Sequence, residues 1–497
     1  MTFNSFEFVL FFPIVTTIYF LLQHRFRWML LLFASCIFYM AFIPAYIFIL
    51  AALILIDYIA AILIEKSNDR QKKVYLIASI FSTCITLFFF KYFNFFNLNL
   101  SALSNFLHWN YSMSALSLLL PIGLSFHTFQ SLAYVIEVYR GNFKAERHLG
   151  IYALYVMFYP QLVAGPIERP QHLLPQFYLE QVFKYDRVIS GIKRMLWGMF
   201  KKVVIADNLA SLVNIVYSHP HEYSGPYLLQ ATIFFAIQIY CDFSGYVDIA
   251  IGSARVMGFE LVENFNKPYL ATSVSDFWRR WHMSLSFWFR DYVYIPLGGN
   301  RSFQSRTYLN IFTVFLLSGL WHGANWTFVL WGGLHGMYVI SSKATVLLRE
   351  KIVRISKLHS FPKLHNCIQI ILTLSLVAFA WIFFRANNIN DALYVASHLF
   401  TGGWSSIYEF LMDNYLDGLV VWILQGVNSV LLLFLICISP YLFRAARITK
   451  QYGGLLHFFL YGPMLPLRWI TCFVLLWGIL LFGPPAGEPH EFIYFAF

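Results

Sequence analysis

Charge is what this chain has least of: Asp, Glu, Lys and Arg make up 12% of its 497 residues. A soluble domain carries about twice that share, so a water-exposed globular body is excluded. Cysteine offers no framework either. Cys36, Cys84, Cys241, Cys367, Cys437 and Cys472 stand singly, mostly in apolar runs, and no C-x-x-C pair exists. Neither a disulfide scaffold nor a zinc site is suggested. The chain also lacks a G-x-S-x-G elbow, a Walker loop, an H-E-x-x-H pair and a His-x4-Asp box. Serine-type covalent catalysis, nucleotide hydrolysis and metal chemistry therefore have no residues to work with. Low-complexity tracts, internal repeats and a soluble domain are absent as well, and nothing alternates in the manner of outer-membrane barrel strands.

What is present is apolar length. Hydrophobic residues reach 59% and aromatics 20%, and runs near the roughly 20 residues needed to cross a bilayer recur from end to end. Candidate spans are 6–23, 28–43, 45–64, 74–93, 116–138, 149–165, 191–216, 227–256, 307–321, 324–345, 366–384, 418–443 and 455–483. The expected class is an all-α polytopic membrane protein, some of whose spans are kinked, re-entrant or buried. Residues 6–23 lack a basic leader and a small-residue cleavage site, so they are expected to stay as the first membrane helix.

The net charge of +11 does not call for a nucleic-acid partner. The basic residues sit in short loops: His24 to Arg27, Lys66 to Lys73, Arg140 to Arg147, Arg349 to Lys363 and Arg444 to Lys450. Intervening segments are acidic, with Asp391, Glu409, Asp413 and Asp417 in 385–417 and Glu488 and Glu491 near the C-terminus. The positive-inside rule then places the basic loops in the cytoplasm and both termini outside it.

Polar residues thicken between about 160 and 340, in "QLVAGPIERP" (161–170), "GMFKKVVIADNLA" (198–210), "QIYCDFSGYVDIAIG" (238–252), "ENFNKPY" (263–269), "WRRWHMSLSFWFRDYVYIPLGGN" (278–300) and "LLSGLWHGANWTFVLWGGLHG" (316–336). Gly and Pro punctuate most of them. Broken helices inside a membrane are tolerated only where protein or water covers them, so a central cavity lined by these segments is expected.

Two histidines stand out there. A histidine in an apolar run is most often a packed hydrogen-bonder, but His322 has Gly319 and Gly323 on either side and Trp321, Asn325 and Trp326 beside it. A desolvated imidazole suits general-base work. His282 lies among arginines; on one helix it would share a face with Trp278 and Ser286, and with Arg279. An interfacial amphipathic helix, its arginines on lipid headgroups, explains the same arginines and leaves the histidine without a reason. Asp276 and Arg280 read as a local pair. His335, on one continuous helix, would fall opposite His322, and His127 reads as a buried hydrogen-bonder. Asp242 and Asp248 are candidates because intramembrane carboxylates are costly; pairing with Lys201 and Lys202 is the simpler reading. Glu168–Arg169 and Arg290–Asp291 read as local structural partners.

Taken together, "DFWRRWHMSLSFWFRDYVYIPLGGN" and "LSGLWHGANWTFVLWGGLHG" resemble the membrane-bound O-acyltransferase family, and its bacterial polysaccharide branch in particular. The likeness extends to "LPIGLSFHTFQSLAYVIEVYRG" (120–141), "LVAGPIERP", "KKVVIADNLA", "DFSGYVDIAIG", "ENFNKPY" and, more weakly, "WIFFRA" (381–386). It implies a ring of membrane helices around a thinned centre crossed by a tunnel. It also implies a single domain over 1–497, with N-terminal spans in 1–115, a catalytic core in 116–345 and C-terminal spans in 346–497. His322, in "LWHG", takes the family's catalytic position and His282 its second polar position. The donor implied is acetyl-CoA, with no tightly bound cofactor and no metal; the acceptor is an extracytoplasmic glycan such as an alginate-like polymer or peptidoglycan. His322 would be the base. His282, Asn325 or a backbone N–H would hold the acceptor or the oxyanion, within a wall that includes Trp321, Trp278, Ser286 and Asp242. Arg279, Arg280 and Lys267 would meet CoA phosphates, a role that headgroup binding rivals. The location implied is the bacterial inner membrane, among membrane lipids, with a separate periplasmic SGNH-type acetyltransferase as partner because the chain has no extramembrane domain large enough to hold a polymer. D-alanyl transfer to teichoic acids, a non-catalytic transporter and a structural scaffold are the competing readings; the transporter would be expected to show inverted repeats.

Overall fold

In a computed structural model the residues described are 1–301, 303–402, 460, 465–483, 492 and 493, and every regular element among them is helical. The predicted span 418–443, Cys437, the basic run Arg444 to Lys450 and the acidic residues Glu409, Asp413, Asp417, Glu488 and Glu491 lie outside the described residues. In chain order the helices are α1 (Phe6–Leu21), α2 (His24–Met40), α3 (Tyr46–Lys66), α4 (Asp69–Leu87), α5 (Phe93–Phe106), α6 (Leu124–Tyr139), α7 (Leu149–Met157), α8 (Pro170–Tyr178), α9 (Tyr185–Met199) and α10 (Asp207–Ser218). Then follow α11 (Gly225–Met257), α12 (Val274–Trp278), α13 (Met283–Phe289), α14 (Gln304–His322), α15 (Trp326–Ala344), α16 (Val346–Ile355), α17 (Pro362–Arg385), α18 (Ile389–His398) and α19 (Leu465–Phe482). Among the described residues, four stretches are long and apolar enough to cross a membrane: Tyr46–Lys66, Asp69–Phe106, Gly225–Met257 and Pro362–Arg385.

Several predicted spans are interrupted, each for a local reason. The 116–138 run becomes helical only at Leu124, because Pro121 and Gly123, the latter at φ 75°, hold the preceding residues out of the helix. The 149–165 run stops at Met157 and continues as buried turns through Gly165. The 191–216 run passes through a π-helical segment, Phe200–Ala206, between α9 and α10. Such bulges carry one extra residue per turn and recur at functional sites. This one brings Lys201 and Lys202 against α11.

The centre is helix on helix without large side chains between. A Cβ on Gly191 would meet Gly252 O at 2.7 Å, and one on Gly198 would meet Gly245 O at 2.5 Å. α9 and α11 therefore touch backbone to backbone at a seven-residue spacing, the small-residue packing that membranes favour. A wide aromatic cluster from α1, α2, α6, α7 and α11 fills the N-terminal side, while Trp281, Trp331 and Trp381 fill the other.

Three of the basic loops, those at His24 to Arg27, Lys66 to Lys73 and Arg140 to Arg147, meet at one end. His24 Nε2 lies 3.2 Å from Tyr178 O, Arg147 pairs with Glu65 at the end of α3, and Tyr178 OH donates to Glu146. Arg140 in turn donates to Asp291 O, so residues 290–291 belong to the same end.

Candidate functional site

The chain breaks twice around the predicted histidines. α14 ends at His322 because Gly323 turns the backbone out and Asn325 caps the next helix, its Oδ1 accepting from Thr327 N–H at 3.1 Å. His322 thus closes a helix and is 4% exposed. Gly319 and Gly332 let α14 and α15 close on each other: a Cβ on either would stand 2.3 Å from a carbonyl oxygen of the other helix. This break also moves His335. It lies on α15, and Trp331 bridges it to His322 with ring centroids 5.0 Å from His322 and 5.1 Å from His335. The expectation of an opposite face assumed a helix that does not continue.

His282 is placed differently from the single-helix expectation. α12 stops at Trp278, His282 adopts a left-handed backbone at φ 44°, and α13 starts at Met283. The buried Asn264 holds this turn: its Oδ1 accepts from Ser284 N–H and Ser284 Oγ, both at 3.0 Å, and lies 3.2 Å from His282 Nδ1. Trp278, His282 and Ser286 therefore share no helix face. His282 is fully buried and packed on Phe243 at 4.7 Å, and the Trp321 ring lies 6.2 Å from His282 and 4.8 Å from His322.

Three cavities are strung along α14. One of about 430 Å³ is lined by Trp278, Arg279, Ser286, Arg290 and Lys343, together with Ile311, Phe315 and Ser318 of α14. A narrow one of about 40 Å³ holds Trp321 and His322 with Gly123, Ser125 and Phe126. The third, about 660 Å³, contains Gly323, Ala324 and Asn325, with Asp242, Lys202, Asp207, Asn214, Gln238 and Arg385. From Ile311 to Gly323 is about 18 Å at the helical rise of 1.5 Å per residue.

The predicted site residues consequently divide. Trp278, Arg279 and Ser286 line the 430 Å³ cavity, Trp321 and His322 the narrow one, and Asn325 and Asp242 the largest. Lys267 and Arg280 line none of the three; Arg280 pairs with Asp276 at 3.0 Å, as its spacing predicts. Asp242 accepts from Lys202 at 2.6 Å and from the backbone N–H of Ile493 at 2.8 Å, while Asp248 pairs with Lys201 and Arg194. Glu168 and Arg169 are not each other's partners. Glu168 takes His172 at 2.7 Å and Val262 N–H, and Arg169 reaches Asp291, which Arg290 also holds at 2.7 Å.

Lys91 escaped the sequence analysis. It lies between the 40 and 660 Å³ cavities and lines both. The signal was available: a lysine inside "FFFKYFNFF" is an intramembrane cation, rare unless used. Lys343 was missed because its neighbours carry no motif, and Arg385, although inside "WIFFRA", was given no role.

His322, at a helix break beside a cavity and inside a bundle with helices long enough to cross a membrane, marks a polytopic membrane protein with a buried polar centre. The chain belongs to the membrane-bound O-acyltransferase family, whose family model matches residues 148–386. It is an acyltransferase. Over 440 residues it is 37% identical to the probable alginate O-acetylase AlgI of Pseudomonas aeruginosa, covering 87% of this chain and 81% of that one. It is 35% identical over 392 residues to the peptidoglycan O-acetyltransferase of Helicobacter pylori, covering 73% and 72%. The teichoic acid D-alanyltransferase of Bacillus subtilis matches at 29% over 228 residues, 44% of this chain and 57% of that one.

Proposed function

We propose that the protein moves an acetyl group from cytosolic acetyl-CoA, through the membrane, to a hydroxyl of an envelope glycan or of a periplasmic partner that serves it, with His322 as general base. The observation that carries this reading is the position of His322 between two unlike cavities. The 430 Å³ cavity is cationic: Arg279 and Lys343 line it, form no ion pair among the described residues, and suit the phosphates of CoA. Its lining includes Arg290, whose neighbour Asp291 accepts from Arg140 at the end where the basic loops around residues 24, 65 and 147 meet, an end that the positive-inside rule assigns to the cytoplasm. The 660 Å³ cavity carries amides and charges suited to a hydroxyl-rich acceptor, and Arg385 and Asn387 place it beside the acidic segment that begins at Asp391.

A thioester is already activated, so the chemistry needs a base for the acceptor hydroxyl, donors for the tetrahedral oxyanion and exclusion of water. His322 takes the hydroxyl proton and returns it to the departing thiolate. His282, held in the left-handed turn, supports the Trp321 wall. The three cavities then form one tunnel through a ring of helices, in a single domain whose 1–115 and 346–497 segments flank the core, seated in a bacterial inner membrane. The alginate and peptidoglycan acetylases among the relatives support acetyl as the group; an SGNH-type partner fits described residues whose regular elements are all helices, none of them forming a separate polymer-binding domain.

The test is acetyl-CoA turnover by the purified full chain in lipid nanodiscs, beside the acetyl content of envelope glycans in cells. His322→Gln in a folded protein is expected to lower turnover by about 10²–10⁴-fold. Undiminished turnover and acetylation in that variant would sink the assignment.

A further inference from the structure

We propose that Lys91 is a catalytic residue: its ammonium group supplies the hydrogen bond that holds the oxyanion formed when the acceptor attacks the acyl carbon beside His322. The inference rests on the acyl-transfer reading above and adds a residue to it.

Three observations carry it. First, Lys91 sits in a π-helical segment, Phe88–Tyr92, between α4 and α5. The irregular turn docks on the end of α14: Tyr92 OH donates to Leu320 O at 3.0 Å, and Lys91 Nζ donates to Trp321 O at 2.7 Å and His322 O at 3.1 Å. A cation on the last carbonyls of a helix is favourably placed, and it ties the lysine to the residue bearing the base. Second, an ammonium has three donors, and these two carbonyls use two of them. Third, among the described residues Lys91 is the one cationic side chain that lines both the His322 cavity and the 660 Å³ cavity. It forms no ion pair with a carboxylate among the described residues, unlike Lys201 and Lys202, which pair with Asp248 and Asp242 of α11 and with Asp207 of α10.

The remaining N–H therefore serves the junction where donor and acceptor must meet. In the step, the acceptor oxygen bonds to the acyl carbon and its proton passes to His322. The carbonyl π pair moves onto oxygen, where Lys91 holds the charge without giving up a proton. Collapse restores the carbonyl, breaks the carbon–sulfur bond and returns the proton from His322 to the thiolate. Because the charge exists only after attack, the contact strengthens in the transition state and acts on kcat rather than on donor binding.

The test uses the full chain in nanodiscs with acetyl-CoA as donor. Thiol release is followed both with water and with a short N-acetylglucosamine oligosaccharide as acceptor. Lys91→Met is expected to lower kcat by about 10²–10³-fold with either acceptor, at unchanged donor KM. Lys91→Arg should retain more activity than Lys91→Gln, which can still bond the two carbonyls but carries no charge. Near-normal kcat in Lys91→Met, a loss confined to KM, or full rescue by Gln would each overturn the proposal, the last by showing a helix cap alone. Should Lys91→Met fail to fold, the order of Arg against Gln decides. His322→Gln is run alongside: an active His322→Gln defeats the general-base reading, whereas an inactive one beside an active Lys91→Met defeats only the role of Lys91.

Discussion

Adding one methyl group to Gly332 is expected to do more damage than adding one to Gly333. An alanine Cβ at 332 would stand 2.3 Å from Phe315 O and 3.2 Å from Gly319 Cα, whereas at 333 the nearest atom, in Leu316, is 3.8 Å away. Ordinary carbon–oxygen contacts begin near 3.3 Å, so Gly332→Ala must push α14 and α15 apart by about 1 Å. Overpacking of this kind costs about 1–3 kcal/mol. Its functional cost is larger than its stability cost, because α14 carries His322 and a misplacement of about 1 Å can lower a rate by about 10²-fold. Gly333→Ala meets no clash and gains up to about 1 kcal/mol of helix propensity. The assay is a pair of measurements on each variant in detergent: thermal midpoint and acetyl-CoA turnover. Gly332→Ala should melt lower and turn over slowly, and Gly333→Ala should match or exceed the parent in stability and keep its activity. Equal behaviour of the two alanines would refute the claim that α14 and α15 are held at backbone contact.

Two further tests probe the surroundings of the site. Lys202 lies 2.6 Å from Asp242 and 2.8 Å from Asp207, all three being nearly inaccessible, so Lys202→Met should destabilise the protein by about 3–5 kcal/mol. Adding Asp242→Asn should recover part of that loss, and a double variant no better than the single would show that the two do not interact. At the surface end, the Glu168 carboxylate 2.7 Å away lifts His172 above its ordinary 6.5. A raised histidine stabilises fully below 6.5 and loses its effect as pH rises through the folded value. Burial also pushes Glu168 up, so at the acid end the carboxyl protonates and the pair breaks. Thermal midpoints of His172→Gln and its parent should therefore differ most near 6.5 and converge at alkaline pH; a constant gap would rule out the ion pair.

The class of protein and the whereabouts of its chemistry are written in composition and local motif. Scarce charge with recurrent apolar runs permits no architecture but membrane helices, since backbone polar groups in lipid must be satisfied within the segment. Gly and Pro among polar residues between about 160 and 340 mark broken helices without reference to any partner. The Asp276–Arg280 pair was legible for the same reason, being a matter of helical spacing alone.

Tertiary structure decided everything that depends on where a helix stops and what then meets its end. Asn264, eighteen residues away, stops α12 from running on through His282, so a face drawn from 278 to 286 by periodicity does not exist. The break at Gly323–Asn325 returns His335 toward His322. Lys91 reaches Trp321 and His322 across 230 and 231 residues of sequence. Periodicity is a property of one continuous helix; the cavities along α14 arise from contacts between separate ones, which no single stretch of sequence contains.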